Sequence, residues 1–533
     1  MPSTVRRGFI AAVFALVVFH CFFTGLAGVG LLGPDEPRYA SIAREMARSG
    51  DWVTPRLNGS PWFEKPALYY WAAAAGFRVF TTPEDAARVP SGIFALCAVL
   101  GLVVVARRFY GPATAFAAAF MLPATVAMTG FARAAATDMP FAASLTLTMV
   151  AGAFLLLEDH PAHTEAIAAA FGAALGLAVL AKGPAAILLA GGSAAVWAIA
   201  TGNIRRSFRL FHPAGVVAFA VLALPWYALC AARNPGFLRI FLLEHNMERF
   251  LTNRYQHQQP FWFFVPVILL AVFPWTVLVV PALADGWRTL RGAEWRNSPG
   301  MYFAAWVLLP FVFFSASQSK LPGYILPAIP PLVLLLARPV TADPGSARDA
   351  RHRRVLWISL AFVPVGIAPF VLTRVPNLAG SARAMLGIPG LAESLTLIGF
   401  ALLTAALLVA GSIRMRRTTV SLGIAAFFFS FAVGIAANHA LPLLDGTISA
   451  RQLAQAARQE AGDTQVAVFE LPRAWQYGAE FYLDRALPEW TPGGERPVWL
   501  LTSRHGLLEL PRSGAGVEVA KGSYGPCTLV RIE

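Results

Sequence analysis

The sequence predicts an all-α polytopic membrane protein of about 13 transmembrane helices, followed by a small C-terminal α/β domain. Of its 533 residues, 57% are hydrophobic and 14% are charged, whereas soluble chains are about 25% charged. The net charge is +14, but Lys and Arg fall in short clusters between apolar runs. Such clusters are topology signals, not one basic surface, so we expect no nucleic-acid partner.

Each membrane span needs roughly 20 mainly apolar residues. The predicted spans are residues 9–32, 89–106, 112–131, 138–157, 164–181, 183–201, 212–231, 261–283, 301–316, 322–338, 355–373, 391–411 and 419–439. A cytoplasmic N-terminus then places the Arg clusters near residues 107, 205, 288, 351 and 416 on the cytoplasmic side, as the positive-inside rule expects. The first span is too long for the apolar core of a signal peptide, so we interpret it as uncleaved.

The predicted domain boundary lies near residue 440. Residues 1–439 form the transmembrane domain, whose loop 33–88 is extracytoplasmic and carries interfacial helices; residues 440–533 form a soluble domain on the same side. Two runs in that domain, 465–470 and 498–502, alternate as strands do. The four cysteines show no metal-binding or disulfide spacing.

The loop segment 33–71 is polar and aromatic. Its start, around Pro37, has one apolar and one charged stripe, which is typical of a helix lying in the membrane interface. A simple interfacial anchor is one interpretation. The adjacent acids Asp35 and Glu36, however, stand at the mouth of a span, where carboxylates near hydrocarbon are costly and usually functional. A catalytic carboxylate is the sharper hypothesis.

Further polar residues occur at span ends on the same predicted side: Arg133, Asp138, Lys182, Glu244, His245, Glu248, Arg249, Gln318, Lys320 and Tyr324. Lys and Arg bind phosphate, and a carboxylate can orient or deprotonate a nucleophile. The set therefore suits group transfer from a phosphate-linked substrate. Local alternatives remain: Lys182 could snorkel at its helix end, and Arg133 could pair structurally with Asp138.

Many short motifs, in order, resemble the bacterial aminoarabinose transferase-like glycosyltransferases of the membrane GT-C class, relatives of the protein O-mannosyltransferases. They include Asp35-Glu-Pro-Arg-Tyr39, Gly50-Asp-Trp-Val53, Phe63-Glu-Lys-Pro66, Glu244-His245, Arg249-Phe250, Pro274-Trp275 and Ser319-Lys-Leu-Pro322 with Tyr324-Ile-Leu-Pro327. Each motif alone is weak, but their shared order is specific. The matches cover residues 33 to about 330, and the later spans and tail match only in layout.

The resemblance implies transfer of a sugar, aminoarabinose being the suggested one, from undecaprenyl phosphate to a lipid A phosphate or another glycan or lipid acceptor. It implies a monomer in the inner membrane, among membrane lipids, with its site facing the periplasm. The implied residues are Asp35 and Asp138 as catalytic carboxylates, Glu64 and His245 as contacts of a divalent metal such as zinc, Lys65, Arg249 and Tyr324 at the phosphate, Tyr39 and Trp62 as aromatic lining, and Glu36, Arg133 and Lys320 as further substrate-binding residues.

Two positions depart from the family pattern: Trp62 stands where tyrosine is common, and Gly323 where a bulkier residue is frequent. Two other functions stay open. A protein or glycan O-glycosyltransferase with a hydroxyl acceptor would need Asp35 as a base. A lipid or sugar transporter would need polar groups along the depth of its spans, but the mid-span stretches 95–105 and 402–411 are almost purely apolar.

Overall fold

The computed structural model describes residues 3–241, 259–341, 348–372, 386–412, 418–462, 464–491, 493–494, 498–511 and 517–532. The α-helices of the first half are α1 Ser3–Phe22, α2 Asp35–Ser49, α3 Leu68–Val79, α4 Pro83–Met121, α5 Val126–Ala132, α6 Asp138–Leu157, α7 Thr164–Lys182, α8 Ala185–Thr201, α9 Ile204–Ser207 and α10 Pro213–Arg233.

The helices of the second half are α11 Phe264–Ala271, α12 Val279–Arg291, α13 Pro299–Ala316, α14 Ile329–Thr341, α15 Arg348–Leu372, α16 Leu391–Ser412, α17 Thr418–Ile435, α18 Leu441–Ile448, α19 Arg451–Ala461, α20 Arg473–Leu483 and α21 Arg504–Glu509. Short 3₁₀ turns join several of them, notably Pro322–Ala328 ahead of α14. Most of these helices coincide with the predicted spans, because their apolar length is readable directly from the sequence.

Nine helical runs in the described part of the chain are at least 18 residues long and apolar enough to cross a bilayer, or ten if the pair 264–271 and 275–291, bent by 110°, counts as one. The chain is therefore an integral membrane protein. The predicted number of spans, about 13, stays a prediction.

The longest run, α4, joins two predicted spans. Its 39 residues would measure about 58 Å as one straight helix, nearly twice the roughly 30 Å hydrocarbon core. Gly111, followed by Pro112, breaks it with φ 84° and ψ 178°, a conformation that glycine adopts most easily. We interpret the run as two membrane passages meeting at Gly111.

Arg-rich loops gather at one end of the bundle. Arg108 bonds Glu158 at 2.6 Å, and Arg209 donates to the carbonyls of Glu158 and Asp159 at 2.7 and 2.8 Å. Arg206 also pairs with Asp159. The loops after α4's first passage, α6 and α8 thus meet, as the alternation of helix direction predicted.

The segment between α1 and α4 folds at the opposite end as α2, α3 and a small antiparallel hairpin, β1 Arg56–Leu57 with β2 Ser60–Pro61. The acids in the first turn of α2 favour its N-terminus, and Gly50 ends it in the left-handed conformation at φ 72°. Its apolar face, including Ile42 and Met46, is buried against α3 and α20.

The C-terminal unit is α/β, as predicted from composition. Its strands β3 Val466–Phe469, β4 Val498–Ser503, β5 Val517–Tyr524 and β6 Cys527–Ile532 form one sheet in the order β3-β4-β6-β5. The β3–β4 pair is parallel and the other pairs are antiparallel. Both predicted strand runs are confirmed, and both faces of β3 and β4 are buried: Val466 and Leu501 lie in one apolar cluster, and Ala467 and Leu500 lie in another.

A buried polar cluster ties this unit to the membrane domain. Asp445 accepts from the Gly30 amide at 2.7 Å and from Arg451 at 3.0 Å. Arg451 also reaches Glu84 at 3.2 Å, and the Tyr482 hydroxyl donates to Glu84 at 2.8 Å. Every partner lies on a different segment, so the C-terminal unit is held in a fixed place over the start of α4.

Candidate active site

The first cluster surrounds Arg38, which is 5% exposed on the first turn of α2. Its Nη2 lies 2.5 Å from Asp35 Oδ1 and 3.1 Å from Glu64 Oε2. Lys65 follows in the chain, with its Nζ 3.8 Å from Glu64 Oε1. Asp35, 53% exposed, is the open side of this cluster. Two cations and two carboxylates therefore share one place at the mouth of the bundle.

Aromatic rings enclose the Arg38 guanidinium. Its Cζ lies 5.1 Å from the ring centre of Tyr39, 5.4 Å from Trp62 and 5.7 Å from Tyr477. Burial alone would lower the pKa of Arg38, but the carboxylates of Glu64 and Asp35 outweigh it and raise the pKa. A permanent positive charge is thus fixed inside an aromatic wall.

Tyr39 and Trp62, which the sequence predicts as aromatic lining, both pack against the Arg38 guanidinium. Tyr39 also packs on the rings of Tyr69 and Tyr70, and burial first, then the Glu64 charge, raises its pKa well above the usual value. The indole Nε1 of Trp62 is buried without a hydrogen-bond partner in the described residues. That donor is available to a ligand entering beside Arg38.

Glu36 is buried away from the open cluster. Its two oxygens accept four hydrogen bonds: from Arg88 Nε at 3.3 Å and Nη2 at 2.6 Å, and from the amides of Leu32 and Ala135 at 2.7 Å each. A carboxylate has about four acceptor positions, so all are used. This placement favours a structural role for Glu36 over the substrate-binding role predicted from the sequence.

The second cluster forms where α6 begins and α7 ends. Lys182 Nζ lies 2.6 Å from Asp138 Oδ1 and 5.0 Å from the ring centre of Tyr324. Gly323 is packed so tightly that a Cβ there would lie 2.7 Å from Asp138 Oδ1 and 2.9 Å from a ring carbon of Phe131. The bulkier residue frequent at this family position would displace Asp138 here.

The two clusters meet through the short segment before α6. Glu36 holds the amide of Ala135, and Asp138 follows three residues later, within about 11 Å of chain length. This buried hydrogen bond therefore ties α2 to the segment that leads into Asp138.

Arg133 lies in the same segment and has no salt bridge with Asp138 among the described contacts. Its Nη1 is buried without a hydrogen-bond partner within the described residues. Burial first, and then the nearby charge of Arg88, lower its pKa to about 10. A buried donor without a partner is costly, so Arg133 Nη1 is a candidate contact for an anion.

Lys320 is 7% exposed and already donates to two carbonyls, Ser317 at 2.6 Å and Gln259 at 3.0 Å. These two hydrogen bonds close the turn that precedes Tyr324. Lys320 thus has at most one N–H donor left for its predicted contact with the substrate. The predicted residues Glu244, His245, Glu248 and Arg249 lie outside the described residues.

The sequence prediction did not include Arg38 and Tyr477 in the site. Arg38 stands inside the quoted motif and could have been chosen as the cation three residues after Asp35, on the same helix face. Tyr477 belongs to α20, more than 400 residues along the chain. No local pattern could have connected it to Arg38.

The bundle, with buried cations and carboxylates facing one end, defines a membrane-embedded enzyme for a phosphate-linked substrate. The family described as dolichyl-phosphate-mannose-protein mannosyltransferase matches residues 64–228. The undecaprenyl phosphate-alpha-4-amino-4-deoxy-L-arabinose arabinosyl transferase of Edwardsiella ictaluri is 32% identical over 381 residues, which cover 69% of this chain and 67% of that protein. A second one, from Pseudomonas fluorescens, is 32% identical over 69% of this chain and 62% of its own length.

The crystal structure of ArnT from Cupriavidus metallidurans bound to undecaprenyl phosphate has the same fold, with a TM-score of 0.82, 24% identity, and coverage of 99% of this chain and 98% of that one. Its apo form gives a TM-score of 0.80. The chain spans about two thirds of the length of its sequence relatives. It belongs to the family of the undecaprenyl phosphate-aminoarabinose arabinosyl transferases, and it is a polyprenyl-phosphate-sugar-dependent glycosyltransferase.

Proposed function

We propose that this glycosyltransferase moves 4-amino-4-deoxy-L-arabinose from undecaprenyl phosphate to a lipid A phosphate. The relatives' names supply the donor and the sugar. The observation that carries the chemistry is the shared cluster of Arg38, Lys65 and Glu64, because it fixes two cations at a membrane-facing mouth. Cations so placed suit the charge that develops on a departing phosphate.

In the proposed reaction, the bond between the sugar's anomeric carbon and the donor phosphate oxygen breaks. The acceptor oxygen forms the new bond from the opposite face, so the anomeric configuration inverts. The electron pair leaves with undecaprenyl phosphate, whose oxygens take Lys65 as partner in competition with Glu64. Arg38 is held in place by Asp35 and by the aromatic rings around it, and it orients the phosphate that Lys65 binds.

A lipid A phosphate is already mostly ionised near pH 7, since a phosphate monoester has its second pKa at about 6. No strong base is then needed. The contact between Asp35 and Arg38 supports this version, in which Asp35 positions a cation. A hydroxyl acceptor, as in O-glycosylation, would instead require Asp35 to take a proton. Retention of transfer to lipid A by Asp35→Asn at an unchanged pH profile would favour the phosphate acceptor.

The proposed setting is the inner membrane, with about 13 spans and the site on the periplasmic side. The gathering of Arg108, Arg206 and Arg209 at the end opposite the site supports this orientation. This orientation can be tested with a membrane-impermeant, cysteine-reactive label added to intact cells. The cells carry protein with a single cysteine in place of either Arg56 or Arg107. Labelling at residue 56 alone is expected.

A divalent ion at Glu64 and His245 also remains a proposal. No group of three His, Cys, Asp or Glu side chains suited to a metal occurs among the residues with described positions, and Glu64 Oε2 contacts Arg38. His245 lies outside the described residues, and the steps above use no metal. Metal analysis of the purified protein and of Glu64→Gln tests it; equal metal content in both would overturn it.

The central experiment is reconstitution with undecaprenyl-phosphate-linked aminoarabinose and lipid A, followed by mass spectrometry of lipid A. Lys65→Ala is expected to lower kcat by about 10²- to 10³-fold, as loss of a group that stabilises transition-state charge does. Arg56→Ala, in the same loop but exposed, is the matched control and should keep full activity. If the folded protein consumes the sugar donor but leaves lipid A unmodified, the acceptor assignment is overturned.

A further inference from the structure

A second cavity lies at the Arg-rich end, far from the candidate active site. It is a groove of about 580 Å³ between α8, α12, α13 and α14. Apolar side chains form its walls, among them Val196, Leu283, Ala304, Leu308 and Leu335. Leu283 is 69% exposed and Leu308 52% exposed. In a membrane protein such exposed apolar walls face lipid chains.

The groove ends at a cation without an acidic partner. Arg338, at the end of α14, lines the groove, and none of the described ion pairs includes it. Its guanidinium instead lies 5.0 Å from the ring centre of Tyr110. The other charged lining residue, Asp285, is neutralised by Arg288 at 3.1 Å. The net charge at the groove end is therefore the positive charge of Arg338.

A buried hydroxyl stands beside this cation. The Tyr110 Oη is buried and has no hydrogen-bond partner in the described part of the chain. A Cβ built on Gly300 would lie 2.7 Å from Arg338 Nη1 and 3.7 Å from Tyr110 Oη. Gly300 is in the first turn of the 18-residue helix α13, whose start carries partial positive charge. Arg338 is thus the charged group that reaches the groove, while the Tyr110 hydroxyl is buried behind it.

We propose that this groove binds one acidic phospholipid. Its phosphate would contact Arg338, and one acyl chain would fill the apolar groove. A free phosphate ion would leave those apolar walls uncovered, whereas a zwitterionic lipid would bring its own ammonium group close to Arg338 and so lose part of the attraction. The Arg-rich side is also where anionic lipids attract basic segments.

This site is separate from the sugar-transfer site. Tyr324 and Arg338 lie at opposite ends of the run Pro322–Thr341, which places them roughly 20 Å apart at helical rise. Binding of the phospholipid therefore can be measured without any transfer reaction. Failure of the proposed function would leave this inference untouched, and the reverse also holds.

The test is native mass spectrometry of the full-length, delipidated protein titrated with dioleoyl phosphatidylglycerol or dioleoyl phosphatidylethanolamine. The wild type is expected to bind phosphatidylglycerol at least about tenfold more tightly. Arg338→Gln should lose that preference, since a charge-assisted hydrogen bond is worth about that factor or more. Arg205→Gln, exposed on α9 at the same end and outside the groove lining, is the matched control and should bind as the wild type does.

A second variant covers the case in which Arg338→Gln does not fold. Ala304→Phe fills the groove and leaves Arg338 intact, so it should also abolish phosphatidylglycerol binding. Unchanged binding in either folded variant would overturn the site. So would equal binding of both lipids, displacement by inorganic phosphate alone, or tighter binding of undecaprenyl phosphate, which would make the groove part of the donor path.

Discussion

Lys182 Nζ lies 2.6 Å from Asp138 Oδ1, joining the end of α7 to the start of α6. The pair is only partly exposed, so the contact compensates part of both charges. Neither residue is near the other in sequence. Their contact fixes the second acidic position of the site and leads to the first two predictions.

Lys182→Gln should lower both stability and kcat more than a typical surface substitution does. Loss of one partner from a buried pair costs up to about 3–5 kcal/mol, and partial exposure reduces that here, so we expect a clear loss of thermal stability together with at least about tenfold lower kcat. The comparison is Arg108→Gln, which breaks the Glu158 pair at the opposite end, where Arg108 is 56% exposed and the cost should stay below about 1 kcal/mol. Equal thermal shifts for both variants would contradict this prediction.

Gly323→Ala should impair transfer through Asp138. The new Cβ would stand 2.7 Å from Asp138 Oδ1, so the carboxylate must move, and a misplacement of about 1 Å can cost roughly 10²-fold in rate. Gly130→Ala, on the neighbouring α5 with open space at its Cβ, is the control. Activity assays on both proteins check it, and normal activity of Gly323→Ala would show that Asp138 need not keep this position.

Arg38→Lys should lose activity although it keeps the charge. Both carboxylate contacts of Arg38 come from Nη2 alone. A lysine ammonium could replace that atom, but it lacks the flat guanidinium that packs against Tyr39 and Trp62. We expect kcat/KM to fall at least about tenfold. Arg48→Lys, on the exposed end of the same helix, is the control and should behave as the wild type. Full activity of Arg38→Lys would mean that only the charge of Arg38 matters for transfer.

Arg133→Gln should stabilise the protein and weaken transfer. Because burial lowers the folded-state pKa of Arg133 to about 10, below its usual value, its charge destabilises the fold at every pH below about 10. That cost is relieved as the pH rises through 10, so the stability difference from the wild type should shrink there. Thermal unfolding at pH 7 and near pH 10.5 measures it.

The exposed Arg107 on the opposite end serves as the control for Arg133, and Arg107→Gln should change neither stability nor activity. A destabilised Arg133→Gln protein would mean that the guanidinium has a structural partner. A stable protein with normal transfer would mean that its unsatisfied charge does not meet the substrate.

Much of the architecture could be predicted, because apolar run length and Arg placement are local properties. The helices around Asp138–Leu157 and Leu391–Ser412, and the strands β3 and β4, all occur where expected. The break at Gly111 also fell between two predicted spans. The different surroundings of two neighbours could not be predicted: Asp35 and Glu36 are adjacent in sequence, yet Asp35 is open and Glu36 is enclosed by four hydrogen bonds.

The sequence by itself determined the membrane class, the order of helices and the end of the bundle where acids and cations gather, because hydrophobic length and charge clusters act without regard to distant partners. The tertiary structure decided which of those groups meet. Arg38 with Tyr477, Lys182 with Asp138 and Arg451 with Glu84 each join segments far apart in the chain. Only packing sets such distances, and whether a buried charge is compensated depends on them.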